Sequence, residues 1–322
     1  MKKLTRTLLG IALVTAALIP GFCAAQEYPT KPITLIIPFP PGGSNDMIGR
    51  YLSDSLGRLW KQAIIVENRA GGGTSVGSNY VAKSPADGYR LLLVSSSYTT
   101  NAATRTDQPF DPVKDLKPVS MIGRGQIGVV AGPKNSINSL ADLVREAKTK
   151  TIFYGTAGIG STQHFNAELL NDALGIKMVA VPYKGGQEAL VDTAGARIDV
   201  VVGAVGGMMP FIDGGKVKLI GIMSKTHSKA LPNVQTTVEA GFPAALTDNY
   251  WAIFVPSATP EGVVNRINVG IKTVTHNEEG RKFLTKLDSE PADMNPAEVT
   301  AYVKKEIEYW TKLAKALNIS AN

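Results

Sequence analysis

The hydrophobic and polar positions of this chain fall into short apolar runs separated by longer stretches with helical spacing. Runs rich in Leu, Ile and Val at residues 33–39, 63–66 and 89–94 predict strands that are buried on both faces. Helical spacing over residues 46–62 and 161–174 predicts helices. Because strand and helix signals alternate, the chain is predicted to form an α/β fold with mostly parallel strands.

The same alternation continues to the end of the chain. Further strands are predicted at residues 127–131, 151–154, 177–182, 198–202, 218–223 and 249–255. Further helices are predicted at residues 139–150, 187–194, 208–213, 260–287 (with a break near Glu279 and Gly280) and 296–317.

An α/β chain of about 300 residues commonly forms two domains. Glycine-rich or proline-containing stretches at residues 123–128 and 239–249 are the two candidate crossing points between them. Two crossings predict a discontinuous first lobe, residues 26–126 plus 249–322, and a second lobe, residues 127–248.

Two glycine-rich turns join a predicted strand to a predicted helix, one at residues 40–44 and one at residues 155–161. Such a turn directs free backbone N–H groups and the positive end of the helix dipole at one spot, which suits an anion. The turns fall in different predicted lobes, so they are expected to face each other across a cleft. The sequence contains no G-x-x-x-x-G-K-[ST] motif, so a carboxylate is a simpler candidate than a phosphate.

The first 25 residues are typical of a bacterial export signal. Lys2, Lys3 and Arg6 precede an apolar run at residues 8–19, which is too short to span a bilayer. Small residues before position 26 predict cleavage after Ala25 and a periplasmic mature chain. The alternative is a lipoprotein with Cys23 as the lipidated residue. The bulky Phe22 argues against this alternative, because a small residue is expected before a lipidated cysteine.

Composition narrows the function classes. The full chain has a formal net charge of +7. Without the three basic residues of the signal, the chain keeps 31 basic and 27 acidic residues and stays mildly basic. This surplus is not clustered, so nucleic acid is not expected as a partner. Cys23 is the only cysteine and the three histidines are far apart, so we expect no disulfide, metal or other cofactor.

Two segments match the residue pattern of a known functional motif but lack the secondary structure that the motif requires. Gly123–Gly128 reads G-x-G-x-x-G, but a predicted strand follows where a dinucleotide site needs a helix. Gly73–Gly77 reads G-x-S-x-G, but it does not follow a buried strand directly, as a nucleophile elbow does. We therefore expect a binding protein and keep a hydrolase only as a further alternative.

Several runs, taken in order, resemble one family. They are YPTKPI at residues 28–33, PFPPGGS at 38–44 followed by Asp46, VENRAGGG at 66–73, SPADGY at 84–89 and VPYKG at 181–185, with further matches at 231–241 and 256–260. Together they resemble the substrate-binding receptors of tripartite tricarboxylate transporters, the Bug receptors, over essentially the whole mature chain.

This resemblance implies a two-lobed periplasmic binding protein fold (Venus flytrap) whose lobes close by a hinge on a small carboxylate. It also implies delivery to a membrane permease with a large and a small subunit, no catalysis, and a monomer. The alternative is a sensory binding protein that presents its closed form to a membrane histidine kinase, because transport and sensing need the same closed form.

The resemblance also implies the ligand-binding residues. In the first loop they are Phe39, Pro40, Gly42, Gly43, Ser44 and Asp46, and in the second Thr156, Ala157, Gly158, Gly160, Ser161, Thr162 and His164. Four more come from neighbouring loops and signature runs: Ser96, Tyr98, Tyr183 and Val205. Asp46 would repel an anion, so we expect it to hold its loop through backbone N–H groups.

Two of these loops depart from the family pattern and concern the rest of the ligand. Residues 95–101 form a polar segment that contains Tyr98, and residues 205–209 are rich in glycine and methionine. If Phe39, Tyr98, Met208 and Met209 line the cleft, the ligand is expected to be substantially apolar, including aromatic, beyond its carboxylate. The identity of the carboxylate and its number of carboxyl groups stay open.

Overall fold

The computed structural model describes residues 28–321. The predicted signal peptide and its cleavage after Ala25 lie outside the described residues. Within residues 28–321, no helix is both long and apolar enough to cross a membrane.

The described chain alternates strands and helices almost throughout. The strands are β1 (Ile33–Ile37), β2 (Ile64–Asn68), β3 (Arg90–Ser95), β4 (Leu116–Ala131), β5 (Ile152–Thr156), β6 (Met178–Pro182), β7 (Val200–Ala204), β8 (Lys218–Ile222), β9 (Asp248–Pro256) and β10 (Ser289–Pro291). The helices are α1 (Ser44–Trp60), α2 (Ser75–Ala82), α3 (Ser97–Thr104), α4 (Leu140–Ala147), α5 (Thr162–Leu174), α6 (Gly186–Ala194), α7 (Val205–Asp213), α8 (Glu261–His276), α9 (Glu278–Lys286) and α10 (Pro296–Ala316).

The strands pair in the order β2-β1-β3-β9-β4-β7-β5-β6, and β8 and β10 also pair with β4. Pairing is parallel within β2-β1-β3 and within β6-β5-β7, as expected. It is antiparallel wherever β4 or β9 takes part, so the prediction of mostly parallel pairing is wrong for the centre of the structure. The chain crosses between the lobes twice in opposite directions, and two such crossing strands side by side are antiparallel.

Strand β4 runs through both lobes. Up to Gln126, which pairs with Asp248, it lies against β9, and from Ile127, which pairs with Ala204, it lies against β7 and β8. The hydrophobic core divides in the same way. One part is built from the two ends of the chain, and the other from residues 127–245. The two-lobed fold expected from the sequence is therefore confirmed.

Most predicted elements occur within a few residues of their predicted bounds. The long helix predicted at 260–287 breaks at Asn277, whose side chain accepts the Gly280 N–H at 2.7 Å and so caps α9. Helices α2 and α3 were not predicted from the sequence. Their Ser, Thr and Asn residues have weak helix propensity, and packing against other elements decides their conformation.

The lobes contact each other at the mouth of the cleft. A Cβ placed at Gly185 would lie 2.8 Å from Pro40 Cγ, and one placed at Gly43 would lie 3.7 Å from Gln187 Cγ. A Cβ placed at Gly207 would lie 3.6 Å from the Ser44 nitrogen. One partner of each pair belongs to each lobe, so these contacts bridge the cleft.

The lobes also meet away from the crossing strands. The Phe165 ring of α5 packs edge-on against Trp310 of α10, with ring centres 5.2 Å apart. The Ser228 hydroxyl donates to Asp288 Oδ1 at 2.7 Å. Each of these contacts joins a residue of the second lobe to one of lobe 1.

Helix α8 generates a stability prediction that is independent of the cleft. Gly270 faces the indole of Trp60, and a Cβ there would lie 2.3 Å from Trp60 Cζ2. Gly270→Ala should lower the free energy of unfolding by about 1–3 kcal/mol, because the core must shift to admit the methyl group. Urea denaturation measures this change.

The control lies on the same helix. No described atom lies within 4 Å of a Cβ placed at Gly262, so Gly262→Ala should be neutral or raise the free energy of unfolding by up to about 1 kcal/mol. Equal effects of the two substitutions would contradict the close packing of α8 on Trp60.

Candidate functional site

A cavity lies between the two lobes. Lobe 1 and the crossing strands line it with Phe39, Pro40, Gly43, Ser44, Asn45, Ser95, Ser97, Ile127 and Asn249. The second lobe lines it with Ala157, Thr162, Gln163, Gly185, Gly186, Gln187, Glu188, Leu190, Gly203, Ala204, Gly207 and Met208.

Five helices begin at this cavity. Each follows the carboxyl end of a parallel-paired strand: α1 after β1, α3 after β3, α5 after β5, α6 after β6 and α7 after β7. Ligands of parallel α/β sheets bind outside these carboxyl ends. The first N–H groups of a helix have no partner inside the helix, and they carry the positive end of its dipole. Two of the helices come from one lobe and three from the other, so both lobes present donors to the same space.

The cavity lining contains very few charged side chains. Among the lining residues Glu188 is the one charged side chain, and its Oε2 accepts the Lys184 N–H at 3.1 Å. Neither lysine nor arginine occurs in this lining. An anion in the cavity would therefore be held by helix N-termini and neutral polar groups.

Asp46 supports the first loop from behind. Its Oδ2 accepts the Gly42 N–H at 3.0 Å, and Asn68 Nδ2 donates to both Asp46 Oδ1 (3.2 Å) and Phe39 O (3.1 Å). Arg50 donates to both carboxylate oxygens. Burial by itself raises the pKa of Asp46, but the hydrogen bonds from Arg50, Gly42 and Asn68 outweigh it and hold the pKa below its usual value. Asp46 thus holds the loop as expected.

The second loop is shaped by its own polar groups. The hydroxyls of Thr156 and Ser161 lie 2.8 Å apart, and Ser161 Oγ accepts the His164 N–H at 3.3 Å, which caps α5. Gly158 and Gly160 have φ of +103° and +80°, a region in which a side chain is strained. The loop brings Ala157 and Thr162 to the cavity, and its other predicted site residues, Thr156, Gly158, Gly160 and Ser161, are not part of the lining.

His164 fixes the same loop. Its Nδ1 accepts the Gly160 N–H at 3.2 Å, and the residue is 8% exposed. Burial lowers the pKa of His164, and the Glu168 carboxylate opposes this only in part. His164 thus fixes the loop, with its Nδ1 as the acceptor. A direct contact of His164 with the ligand stays a prediction.

The cavity collects six of the predicted site residues: Phe39, Pro40, Gly43, Ser44, Ala157 and Thr162. Gly42 and Asp46 support the first loop from outside the lining. Ser96 directly precedes α3, and its Oγ accepts the Tyr250 N–H at 3.0 Å. Val205, the first residue of α7, is fully buried and faces Gly128. A direct contact of any of these residues with the ligand stays a prediction.

Two tyrosines lie elsewhere than expected. Tyr98 is 2% exposed, its ring packs on Phe254 at 4.7 Å, and its hydroxyl donates to Pro112 O at 2.6 Å. The Tyr183 hydroxyl donates to Asp192 Oδ2 at 2.8 Å. Neither ring lines the cavity, because residues 97–104 form a helix that turns Tyr98 into the core and because Asp192 holds Tyr183 on α6.

The structure changes the set of residues that supports an apolar distal half of the ligand. Phe39 and Met208 line the cavity, whereas Tyr98 and Met209 do not. Ile127 and Leu190 add apolar surface that the sequence did not indicate. The apolar distal half stays a prediction that rests on these four lining residues.

Several lining residues were missed in the sequence. A third glycine-rich turn from strand to helix contains Gly185, Gly186 and Gln187. It has the same sequence pattern as the two predicted turns, so a sequence signal for it exists. Asn249 comes from a crossing strand far along the chain, and Gln163 lies between two residues that were named. No local sequence signal distinguishes these last two.

Three amides at the cavity have a buried atom without a protein partner among the described residues. They are Asn45 Oδ1, Gln163 Oε1 and Asn249 Nδ2. Buried polar atoms in proteins are nearly always hydrogen-bonded. These amides are therefore groups that a ligand, or water bound with it, can satisfy. Within residues 28–321, no cluster of three or more His, Cys, Asp or Glu is arranged to hold a metal ion.

A cleft between two α/β lobes, with helix N-termini of both lobes at its surface, defines the class of two-lobed solute-binding proteins. The family model described as "Tripartite tricarboxylate transporter family receptor" matches residues 48–319. The chain therefore belongs to this family of periplasmic receptors, as the sequence runs indicated.

Related sequences agree. Protein BugT of Bordetella pertussis is 30% identical over 319 residues, which cover 97% of this chain and 98% of BugT. A protein of Agrobacterium vitis, from the TAR-I ttuE-ttuC' intergenic region, is 31% identical over 95% of this chain and 89% of its own length.

Solved structures agree as well. The periplasmic binding protein BugD superposes with a TM-score of 0.86 at 25% identity, over 91% of this chain and 99% of BugD. The R. palustris protein Rpa4515, solved with adipate, gives a TM-score of 0.88 at 29% identity over 91% of this chain and 99% of its own.

The support given by Asp46 generates a mutational prediction. Asp46→Ala removes the acceptor of the Gly42 N–H and one acceptor of Asn68, and it should lower the free energy of unfolding by about 1–3 kcal/mol. Asp54→Ala is the control, because Asp54 is an exposed residue of the same helix and should change stability by less than about 0.5 kcal/mol. Urea denaturation of both variants measures the difference, and equal losses would contradict the support role.

The buried His164 generates a pH prediction. Its pKa in the folded protein lies below the ordinary 6.5, so the unfolded chain takes up this proton first as the pH falls. The contribution of His164 to the free energy of unfolding is therefore complete above about pH 6.5 and decreases below it. His164→Gln, which keeps an acceptor at this position, should weaken the pH dependence between pH 7 and 5. An unchanged slope in urea titrations would contradict this prediction.

Proposed function

We propose that this protein is a periplasmic receptor that captures a small carboxylate by hinge closure and delivers it to a tripartite tricarboxylate transporter permease, without catalysis. The observation that carries the proposal is the convergence of five helix N-termini, from both lobes, on a cavity whose lining has no cationic side chain.

A carboxylate suits this arrangement better than other ligand chemistries. Each helix N-terminus carries a positive partial charge of roughly half an elementary charge, which favours an anion. Ser44 adds a hydroxyl donor at the same surface, next to the hydroxyl pair of Ser97 and Thr162, whose oxygens lie 3.1 Å apart. The adipate in the related R. palustris structure is a carboxylate of the same class.

Hinge closure is supported by the way the chain crosses between the lobes. We propose that residues 28–126 with 249–321 move as one rigid body and residues 127–248 as the other. Each body has its own hydrophobic core, and β4 changes partners between Gln126 and Ile127. A ligand that contacts Ser44 on one side and Gly186 on the other stabilises the closed form, because only that form offers both contacts.

Delivery to a permease with large and small subunits rests on family membership. We propose that the protein acts as a monomer, with the signal removed after Ala25, and that the closed form is the one the permease recognises.

The proposal is tested by calorimetry and small-angle scattering with succinate, adipate, citrate, glutamate, benzoate and terephthalate. At least one acid should bind, reduce the radius of gyration and raise the melting temperature with increasing concentration. The fully methyl-esterified form of that acid should bind at least tenfold more weakly, because it lacks the charge that the helix N-termini favour.

Gly43→Val tests the closed form directly. The φ of Gly43 is −84°, which a side chain tolerates, but the valine methyl groups would press on Gln187 of the opposite lobe. Affinity should fall at least tenfold while Gly262→Ala, far from the cleft, keeps it. If no carboxylate binds the wild type, the receptor proposal is wrong. If a tight ligand causes no compaction, the hinge mechanism is wrong.

A further inference from the structure

We propose that Gln163 sets how far a ligand reaches into the second lobe and that its amide binds the ligand's second polar group. This inference rests on the proposed function, because it concerns the same cleft. Gln163 lies in the first turn of α5, immediately after Thr162, and its side chain extends over the carboxyl end of β7.

The Gln163 side chain occupies a slot that two glycines make possible. A Cβ at Gly186 would lie 2.5 Å from Gln163 Nε2, and a Cβ at Gly203 would lie 2.8 Å from the same atom. The Gly203 position also faces Met208, whose Cε would be 3.2 Å from that Cβ. Gln163 thus covers the surface formed by Gly186 and Gly203, between the N-terminal ends of α6 and α7. We call this surface the floor of the cavity.

The amide of Gln163 is not committed to the protein. Its Oε1 is buried and has no hydrogen-bond partner among the described residues. Gln187 offers a contrast within the same cavity, because its Nε2 donates to Gly207 O at 2.9 Å. A glutamine amide can both donate and accept, so Gln163 can bind a carboxyl, carbonyl or hydroxyl group.

These observations predict a length limit. A linear acid held by its first carboxylate at the N-terminus of α1 in lobe 1 would meet the Gln163 amide of the second lobe with its far end. Shortening the side chain to alanine opens the floor over Gly203 and makes room for additional methylene groups. Preference should then move to a longer acid.

The experiment measures dissociation constants by calorimetry for linear dicarboxylates from succinate to suberate, with the linear monocarboxylates of the same lengths in parallel. In Gln163→Ala, the ratio of affinities for the longer over the shorter acids should rise about tenfold or more. Gln163→Met keeps most of the length of the side chain but lacks the amide. It should keep the preferred length and weaken binding of the preferred acid about tenfold.

Two further variants separate the length limit from general damage. Gln187→Met removes a bond within the protein and should weaken all acids by a similar factor, with the preferred length unchanged. Gly203→Ala should displace Gln163 and weaken the preferred acid, but it should add little to Gln163→Ala, because the displaced group is then absent. Melting temperatures confirm that each variant is folded.

The outcomes are distinguishable. If Gln163→Ala binds all acids with ratios within twofold of the wild type, the length limit is wrong. If Gln163→Met binds the preferred acid as tightly as the wild type, the role of the amide is wrong. If the wild type binds no acid of either series and none of the six acids named above, the proposed function fails and this inference fails with it.

Discussion

The helix N-termini of both lobes point into one cleft because the parallel strands of both lobes end there. Each of β1, β3, β5, β6 and β7 leads directly into a helix at that edge, and the first N–H groups of those helices lack partners within the helix. The cleft therefore presents backbone donors and the positive ends of helix dipoles, although its lining contains no lysine or arginine. Asp46 and His164 support the two glycine loops from which α1 and α5 begin.

Two layers of residues divide the work of the site. Ser44, Thr162 and Gln163 lie at the surface of the cavity. Asp46 and His164 lie behind it and hold the backbone of the two loops through the N–H groups of Gly42 and Gly160. These supporting contacts keep the backbone of both loops in position.

The crossing strands couple the lobes without merging them. β4 and β9 run antiparallel through the middle of the sheet, so the chain can leave lobe 1, build the second lobe and return. Their pairing ends at Gln126 and Asp248, beyond which β4 belongs to the second core. Contacts outside the sheet, such as Phe165 with Trp310, also join the two lobes.

The sequence by itself determined the α/β class, the two lobes, most strands and helices, and both predicted glycine loops, because these follow from local periodicity and turn chemistry. It also indicated the role of Asp46, since a carboxylate beside an anion site must be held by donors. Only the tertiary structure decided that Tyr98 packs in the core and that Gln163 and Asn249 reach the cavity. Whether a polar side chain faces a cleft or a core depends on which distant segment packs against it. The antiparallel centre of the sheet likewise follows from the path of the whole chain, which no short stretch of sequence encodes.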